Sequence, residues 1–454
     1  MTINQSKRQG FSSELGFILV AVSGVVGLGN IWGFPTQVAM NGGSTFIVSY
    51  LIISFALGYP LLMTELIIGH SVKANAVTSL EEFNNNFKAR RIGVFLGTLS
   101  TVIVTFILGF YSIVAGWVLA FLVDSIFRIF GITTYSAWMT GFSEIRNASF
   151  CVLFLLVTVF ISSKGVREGL EKMAKVLSFF FLIILLGLII YVATLDGARE
   201  GLIAYLTPNI SHIFDPKILL NALGQSFFSL SLGSGTLIVY GSYISSNTRL
   251  PLSGSIIVAS DAFIGFAAGL LIIPAMYVAQ ANGIQIMSET GVLLKDDTLI
   301  FQVLPSLFNS MGIVGLLLSV LIFFLLTFAS ITSSVAMFEV PLSYFVERQE
   351  VDREKAAWRL FLFLSVMALL IAFNFDWLFG LIITITTRYG QPLVCLGIVL
   401  FFSWFYKNSS ALSQLRKESG DRAGGSLFWS LLPLYVRFVC PILIIVIFIQ
   451  SLQA

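Results

Sequence analysis

Ser23-Gly24-Val25-Val26-Gly27-Leu28-Gly29-Asn30, followed by Pro35, breaks an apolar run near residues 14–38. Phe227-Phe228-Ser229-Leu230-Ser231-Leu232-Gly233-Ser234-Gly235 breaks a second run near 218–247. Glycine costs a helix about 1 kcal/mol relative to alanine. At membrane depth, a freed peptide group is tolerated only where protein or a water-lined cavity meets it. Small residues that let two helices pack closely are one reading of such runs. Two breaks at corresponding places, carrying Asn30, Ser229 and Ser231, favour another: a solute and ion site near the bilayer midplane, between inverted repeats.

Working outward from the breaks, hydropathy gives spans near 14–38, 44–72, 91–127, 148–163, 168–195, 218–247, 252–281, 312–347, 355–374, 375–406 and 428–452, eleven in all. Of 454 residues, 57% are hydrophobic and 11% charged, with mean hydropathy +0.93. That composition excludes a soluble enzyme and a disordered chain. At about 20–25 apolar residues per crossing, little is left for a separate soluble domain. The chain reads as an all-α polytopic membrane protein forming one domain over 1–454.

With the N-terminus placed in the cytoplasm, nineteen Lys and Arg, from Lys7 and Arg8 to Arg422, fall inside. Only Arg128, Arg146, Arg199, Lys217 and Lys295 fall outside, so the positive-inside rule sets this orientation with an external C-terminus. The first run contains Asn30 and Pro35 and lacks a small-residue cleavage site, so it reads as a retained helix. Cys151, Cys395 and Cys440 lie in apolar surroundings without Cys-x-x-Cys spacing, and His70 and His212 have no ligand-spaced partner. Structural disulfides, a zinc cage and metal-dependent catalysis are therefore not expected. The net charge of +3 sorts by membrane side, so it does not point to nucleic acid.

Gly27-Leu28-Gly29-Asn30-Ile31-Trp32, Phe34-Pro35, Asn41-Gly42-Gly43, Ser229-Leu230-Ser231-Leu232-Gly233 and Thr332-Ser333-Ser334 resemble the motifs of the neurotransmitter:sodium symporter family. The similarity runs in consistent order from about residue 8 to 450. It implies a LeuT-type five-plus-five inverted repeat, 14–195 and 218–406, with helices 1 and 6 unwound and 428–452 as an extra eleventh helix. It also implies Na+-coupled uptake of a small amino-group-bearing solute across the cytoplasmic (inner) membrane by alternating access.

By that resemblance, one Na+ takes the Val25 carbonyl, the Asn30 amide oxygen, Ser229 and Asp261, completed by a substrate carboxylate. The other takes the carbonyls of Ser23, Val26 and Ala329 and the hydroxyls of Thr332 and Ser333. A carboxylate at membrane depth is costly unless it meets a cation, so Asp261 is a candidate in its own right. Its charge, with Gly265 one turn on, leads to the expectation that chloride is not required. Amine-carrying members are similar but have Asp where Gly27 stands, and glycine leaves room for a substrate carboxylate. That carboxylate faces the Leu28 and Gly29 N–H groups and Tyr111, while the amino group meets the Val25 and Phe228 carbonyls and the Ser231 hydroxyl. The side chain enters a pocket of Ile107, Tyr111, Phe228, Ser234, Ser333 and Met337. An α-amino acid has this polarity.

Departures from the family pattern concern the gates. Gly33 and Phe379 stand where an Arg–Asp pair usually closes the outside, which implies closure by Tyr111, Phe228 and other aromatics. Arg388, about three turns into the tenth span, is open to three roles: substrate contact, repair of the external gate, or a structural pair with an acid. On the cytoplasmic side Arg8 and Glu347 match the internal gate pair, with Ser242 and Tyr243 nearby and Glu339 on the span of Glu347. Two other readings stay open: H+ coupling through Asp261, and a non-transporting amino-acid sensor. The oligomeric state is left open.

Overall fold

A peptide group in hydrocarbon must find its partner within its own segment, so each apolar run becomes a helix. Short polar side chains mark where several begin. Ser13, Asn75, Asn86, Ser143, Asp215 and Asp352 each accept a hydrogen bond from a first-turn N–H. Each satisfies a donor that a helix start leaves without an internal partner.

The computed structural model describes residues 10–207, 213, 215–245, 248–286, 299–405 and 425–453. The helices in order are α1 Glu14–Val25, α2 Gly29–Met40, α3 Ser44–Val72, α4 Ala76–Glu82, α5 Phe87–Ile129 and α6 Ser136–Thr140. Next come α7 Glu144–Ser163, α8 Val166–Ala193, α9 Ala198–Leu206, α10 Pro216–Ser229, α11 Thr236–Ser242 and α12 Leu250–Ala281. The rest are α13 over 299–310, α14 Gly312–Arg348, α15 Arg353–Phe373, α16 Phe375–Phe405 and α17 Gly425–Gln453. Eight of these, α3, α5, α7, α8, α12, α14, α15 and α16, are individually long and apolar enough to cross a bilayer.

Helices α1 and α2 form a further span bent by 57°. α10 and α11 form an interrupted one, and α17 is the last. Among the described residues, eight spans, or nine with the bent pair, meet the length and apolarity needed to cross, which is roughly consistent with the eleven expected. The connections between α5 and α7, α8 and α10, and α12 and α14 carry the short helices α6, α9 and α13. Pieces as short as α6 and α9, of five and nine residues, give too little period to read; α9 shows its role only in packing, where Tyr205 is fully buried and donates to the Phe266 carbonyl of α12 at 2.8 Å.

The two broken spans lie at the centre. α1 packs on α8, α12 and α14, and α2 on α10 and α12. α11 packs on α3, and α5 reaches across to α4, α7, α14 and α15. Large apolar side chains stand exposed on many helices, among them Phe95 on α5, Ile190 and Phe179 on α8, Leu362 on α15 and Trp404 on α16, an arrangement suited to lipid.

Candidate solute and ion site

At the first break the chain leaves α1 at Val26, in extended conformation, and re-enters a helix at Gly29 in a wide π-type turn that runs to Gly33. The Gly27 carbonyl accepts from Asn30 N and Ile31 N at 3.2 and 3.4 Å. The N–H groups of Leu28, the residue before α2, and of Gly29, its first residue, stand at a helix start, where such groups lack an internal acceptor. Together with the helix dipole they make the start of α2 favourable to an anion.

The second break runs from Leu230 to Gly235. Ser231 (φ +51°), Gly233 (φ +80°) and Gly235 (φ +78°) all adopt left-handed backbone. A Cβ at Gly233 would lie 2.5 Å from the Gln391 carbonyl oxygen, so both conformation and space require glycine there. The linker is pinned from outside: Gly233 N donates to Glu65 Oε1 of α3 at 2.6 Å, and Ser100 Oγ of α5 donates to the Gly233 carbonyl at 3.0 Å. Glu65 is 1% exposed.

Between the breaks stands Asp261 of α12, fully buried. Asn30 Nδ2 donates to its Oδ1 at 2.7 Å, Ser229 Oγ reaches Oδ1 and Oδ2 at 2.8 and 3.0 Å, and Tyr50 Oη donates to Oδ2 at 2.9 Å. Asn30 Nδ2 also reaches Ser229 Oγ at 3.0 Å. Asn30, Ser229 and Asp261, separated by up to 231 positions, thus meet in one cluster. The Asn30 amide oxygen accepts from Gly27 N at 3.0 Å, so the amide turns its NH2 toward the carboxylate. The expected oxygen-first orientation would need the amide turned over.

The second expected set meets where α1 ends against α14. Ser333 Oγ donates to the Val26 carbonyl at 3.1 Å, and Thr332 Oγ1 lies 3.0 Å from the Ala329 carbonyl and 3.1 Å from that of Phe328. Ser23 is 7% exposed, its hydroxyl turned back to the Val20 carbonyl at 3.0 Å. All five residues offer hard neutral oxygens.

Of the expected pocket residues, Tyr111, Ser333 and Phe228 surround the first break. A Cβ on Gly27 would lie 2.6 Å from Ser333 Oγ and 3.5 Å from Tyr111 Oη. A Cβ on Gly29 would meet Phe228 Cε1 at 2.9 Å. Tyr111 Oη is buried near Ser330, Ser333 and the Leu28 backbone, with no well-aligned hydrogen bond among the described residues. Val25, Leu28, Ile107 and Met337 are buried in the same apolar core, and Phe228 remains 45% exposed. Ser234 is 2% exposed, and its hydroxyl bonds the Ser231 carbonyl (2.6 Å) and Thr236 Oγ1 (2.9 Å) instead of standing free. A cavity of about 600 Å³ lies elsewhere, lined by Trp117, Phe142, Glu144, Phe301 and residues 372–377.

At the gates, Phe379 packs against Phe110, Trp117 and Phe375 with ring centroids at 5.9, 6.4 and 4.4 Å. Arg388 makes no ion pair among the described residues. Its guanidinium carbon lies 5.9 Å from the ring of Tyr389, which packs on Phe448 of α17. Arg8 lies outside the described residues. Glu347 Oε2 accepts from Asn75 N and Nδ2 at 2.6 and 3.1 Å. Tyr243 donates to Glu339 Oε1 at 2.7 Å, and Arg353 grips Glu339 with two bonds of 3.0 and 2.6 Å.

The sequence reading missed Glu65, Tyr50 and Arg353 as site or gate residues. Glu65 carried a usable signal, an acid inside Leu61–Ile68 at membrane depth. Tyr50 carried none, since a tyrosine in an apolar span reads as core.

The sodium:neurotransmitter symporter family model matches residues 8–141 and 135–454. An uncharacterized sodium-dependent transporter of Bacillus subtilis, YhdH, is 27% identical over 99% of this chain and 98% of its own. Sodium-dependent nutrient amino acid transporter 1 of Drosophila pseudoobscura pseudoobscura is 24% identical over 99% of this chain and 75% of its own. Among solved structures, MhsT in complex with L-phenylalanine is similar with a TM-score of 0.81 and 31% identity, over 98% of this chain and 100% of that one.

Proposed function

This chain belongs to the sodium:neurotransmitter symporter family, and on that premise we propose that it couples Na+ entry to uptake of an α-amino acid. It is a transporter of LeuT-type fold, not an enzyme. The observation that carries the proposal is the buried carboxylate of Asp261, held by Asn30, Ser229 and Tyr50 between the two breaks with no basic side chain paired to it among the described residues. A buried charge of this kind calls for a cation. Na+ supplies that charge as cargo, at a first site of Val25, Asn30, Ser229 and Asp261 and a second of Ser23, Val26, Ala329, Thr332 and Ser333.

The amino acid lies with its carboxylate at the Leu28 and Gly29 N–H groups and Tyr111, and with its amino group toward Ser231 and the Val25 and Phe228 carbonyls. The crowding about Gly27 supports this polarity, because a larger side chain there would run into Ser333. The MhsT complex with L-phenylalanine supports the substrate class. Asp261 supplies the site's negative charge itself, so uptake proceeds without chloride. Residues 14–195 and 218–406 act as two repeats, with α17 added, in the cytoplasmic membrane with the N-terminus inside. Each Na+ moved inward at 100 mV contributes about 2.3 kcal/mol before any concentration term.

In proteoliposomes, an imposed inward Na+ gradient drives labelled amino acid above its external level, equally in chloride and gluconate. Choline in place of Na+ abolishes accumulation. One second reading rests on the same carboxylate: a buried acid without a basic partner also accepts a proton. Accumulation in Na+-free medium under an imposed pH gradient would favour H+ coupling. Binding without accumulation would favour a sensor.

A further inference from the structure

The residues at the two expected external-gate positions, Gly33 and Phe379, cannot form an ion pair. Phe379, partly exposed, packs against the rings of Phe110, Trp117 and Phe375, so this position contributes apolar contact and no charge. On α2, Gly33 presents no side chain, and the nearest atom to a Cβ built there is Gln225 Oε1 at 3.9 Å. Gln225 belongs to α10, one turn before Ser229, and is 8% exposed. Its Nε2 donates to the Gly29 carbonyl at 3.1 Å. That carbonyl also takes the Phe34 N–H that closes the wide turn of α2. Phe228, on the same helix as Gln225, lies against Gly29 so closely that a Cβ there would meet its ring at 2.9 Å.

We infer that Gln225 is the positioning residue of an uncharged external closure, in which one side-chain amide clasps α10 to the start of α2. It acts through Gly29, whose N–H is assigned above to the substrate carboxylate, so the inference rests on the transport reading. The clasp holds the outer halves of the two broken spans together and fixes the turn that presents the Leu28 and Gly29 N–H groups. Aromatic packing around Phe379 seals the remainder. A neutral clasp of this kind is indifferent to ionic strength, whereas an exposed ion pair weakens as salt rises.

The test compares Gln225→Ala with Gln225→Met, which keeps the length and bulk of the side chain and removes the donor. Hydrogen–deuterium exchange over residues 29–40, measured in nanodiscs without added solute, is expected to quicken about two- to tenfold in both variants, as loss of one neutral hydrogen bond implies. In proteoliposomes the half-saturating amino acid concentration is expected to rise by a similar factor in both, with the maximal rate unchanged. Gln225→Met behaving as wild type in exchange, while Gln225→Ala does not, means that bulk rather than the hydrogen bond matters and overturns the inference; both behaving as wild type overturns it as well. A wild-type protein that accumulates no amino acid defeats the transport reading, and the exchange comparison then decides the clasp alone.

Discussion

Asp261→Asn retains the shape of the side chain and removes one charge from the centre of the molecule. The two carboxylate oxygens contact only donors: Asn30 Nδ2 at 2.7 Å, Ser229 Oγ at 2.8 and 3.0 Å and Tyr50 Oη at 2.9 Å. A cation about 4 Å from a unit charge gains roughly 4 kcal/mol at an effective dielectric constant near 20. Taking about half of this as offset, because the variant no longer desolvates a charge, leaves roughly 2 kcal/mol. At 1.4 kcal/mol per factor of ten, that is about a thirtyfold loss of Na+ affinity. The assay is the half-saturating Na+ concentration for uptake in proteoliposomes at saturating amino acid, run in chloride and in gluconate. The expected variant needs about thirtyfold more Na+ and works better in chloride than in gluconate, while wild type is indifferent to the anion. Half-saturation within twofold of wild type would refute the assignment of Asp261 to the ion.

Ser333→Ala removes a hydroxyl that bonds the Val26 carbonyl; half-saturating Na+ is expected to rise about tenfold in the same assay, as for a lost contact to a charged species. Arg353→Met leaves Glu339 buried with Tyr243 as its remaining donor among the described residues, and should destabilise the protein by about 3–5 kcal/mol in thermal unfolding. The double variant Arg353→Met/Glu339→Leu should recover much of that loss, since replacing both partners of a buried pair by apolar groups is often near neutral. Arg388→Ala is expected to change amino-acid half-saturation less than twofold, because its neighbour in the structure is the Tyr389 ring on the side of α17.

Legibility in the sequence followed the nature of each signal. The two breaks were readable because glycine and short polar residues stand out in an apolar run, and Asp261 because an acid at membrane depth does. The eleven expected spans followed from the same contrast. Contacts that join a side chain to a distant backbone group were not readable: Gln225 to the Gly29 carbonyl spans 196 positions, and Glu65 to Gly233 N spans 168. A carbonyl or N–H carries no residue identity, so no pattern marks it. Ser234 was expected to line the pocket; that its hydroxyl bonds the Ser231 carbonyl was not readable, because the left-handed turn at Ser231 brings that carbonyl within reach. Arg353 was counted for its charge, and its pairing with Glu339 across the α14–α15 turn required the fold.

Binding of a radiolabelled α-amino acid to the purified protein, titrated in Na+ and in choline, tests most directly whether solute and ion share the gap between the two breaks. The account predicts saturable binding in Na+ that collapses in choline, with the amino acid raising Na+ affinity by the same factor that Na+ raises its own. Equal amino-acid affinity in the two salts would contradict it.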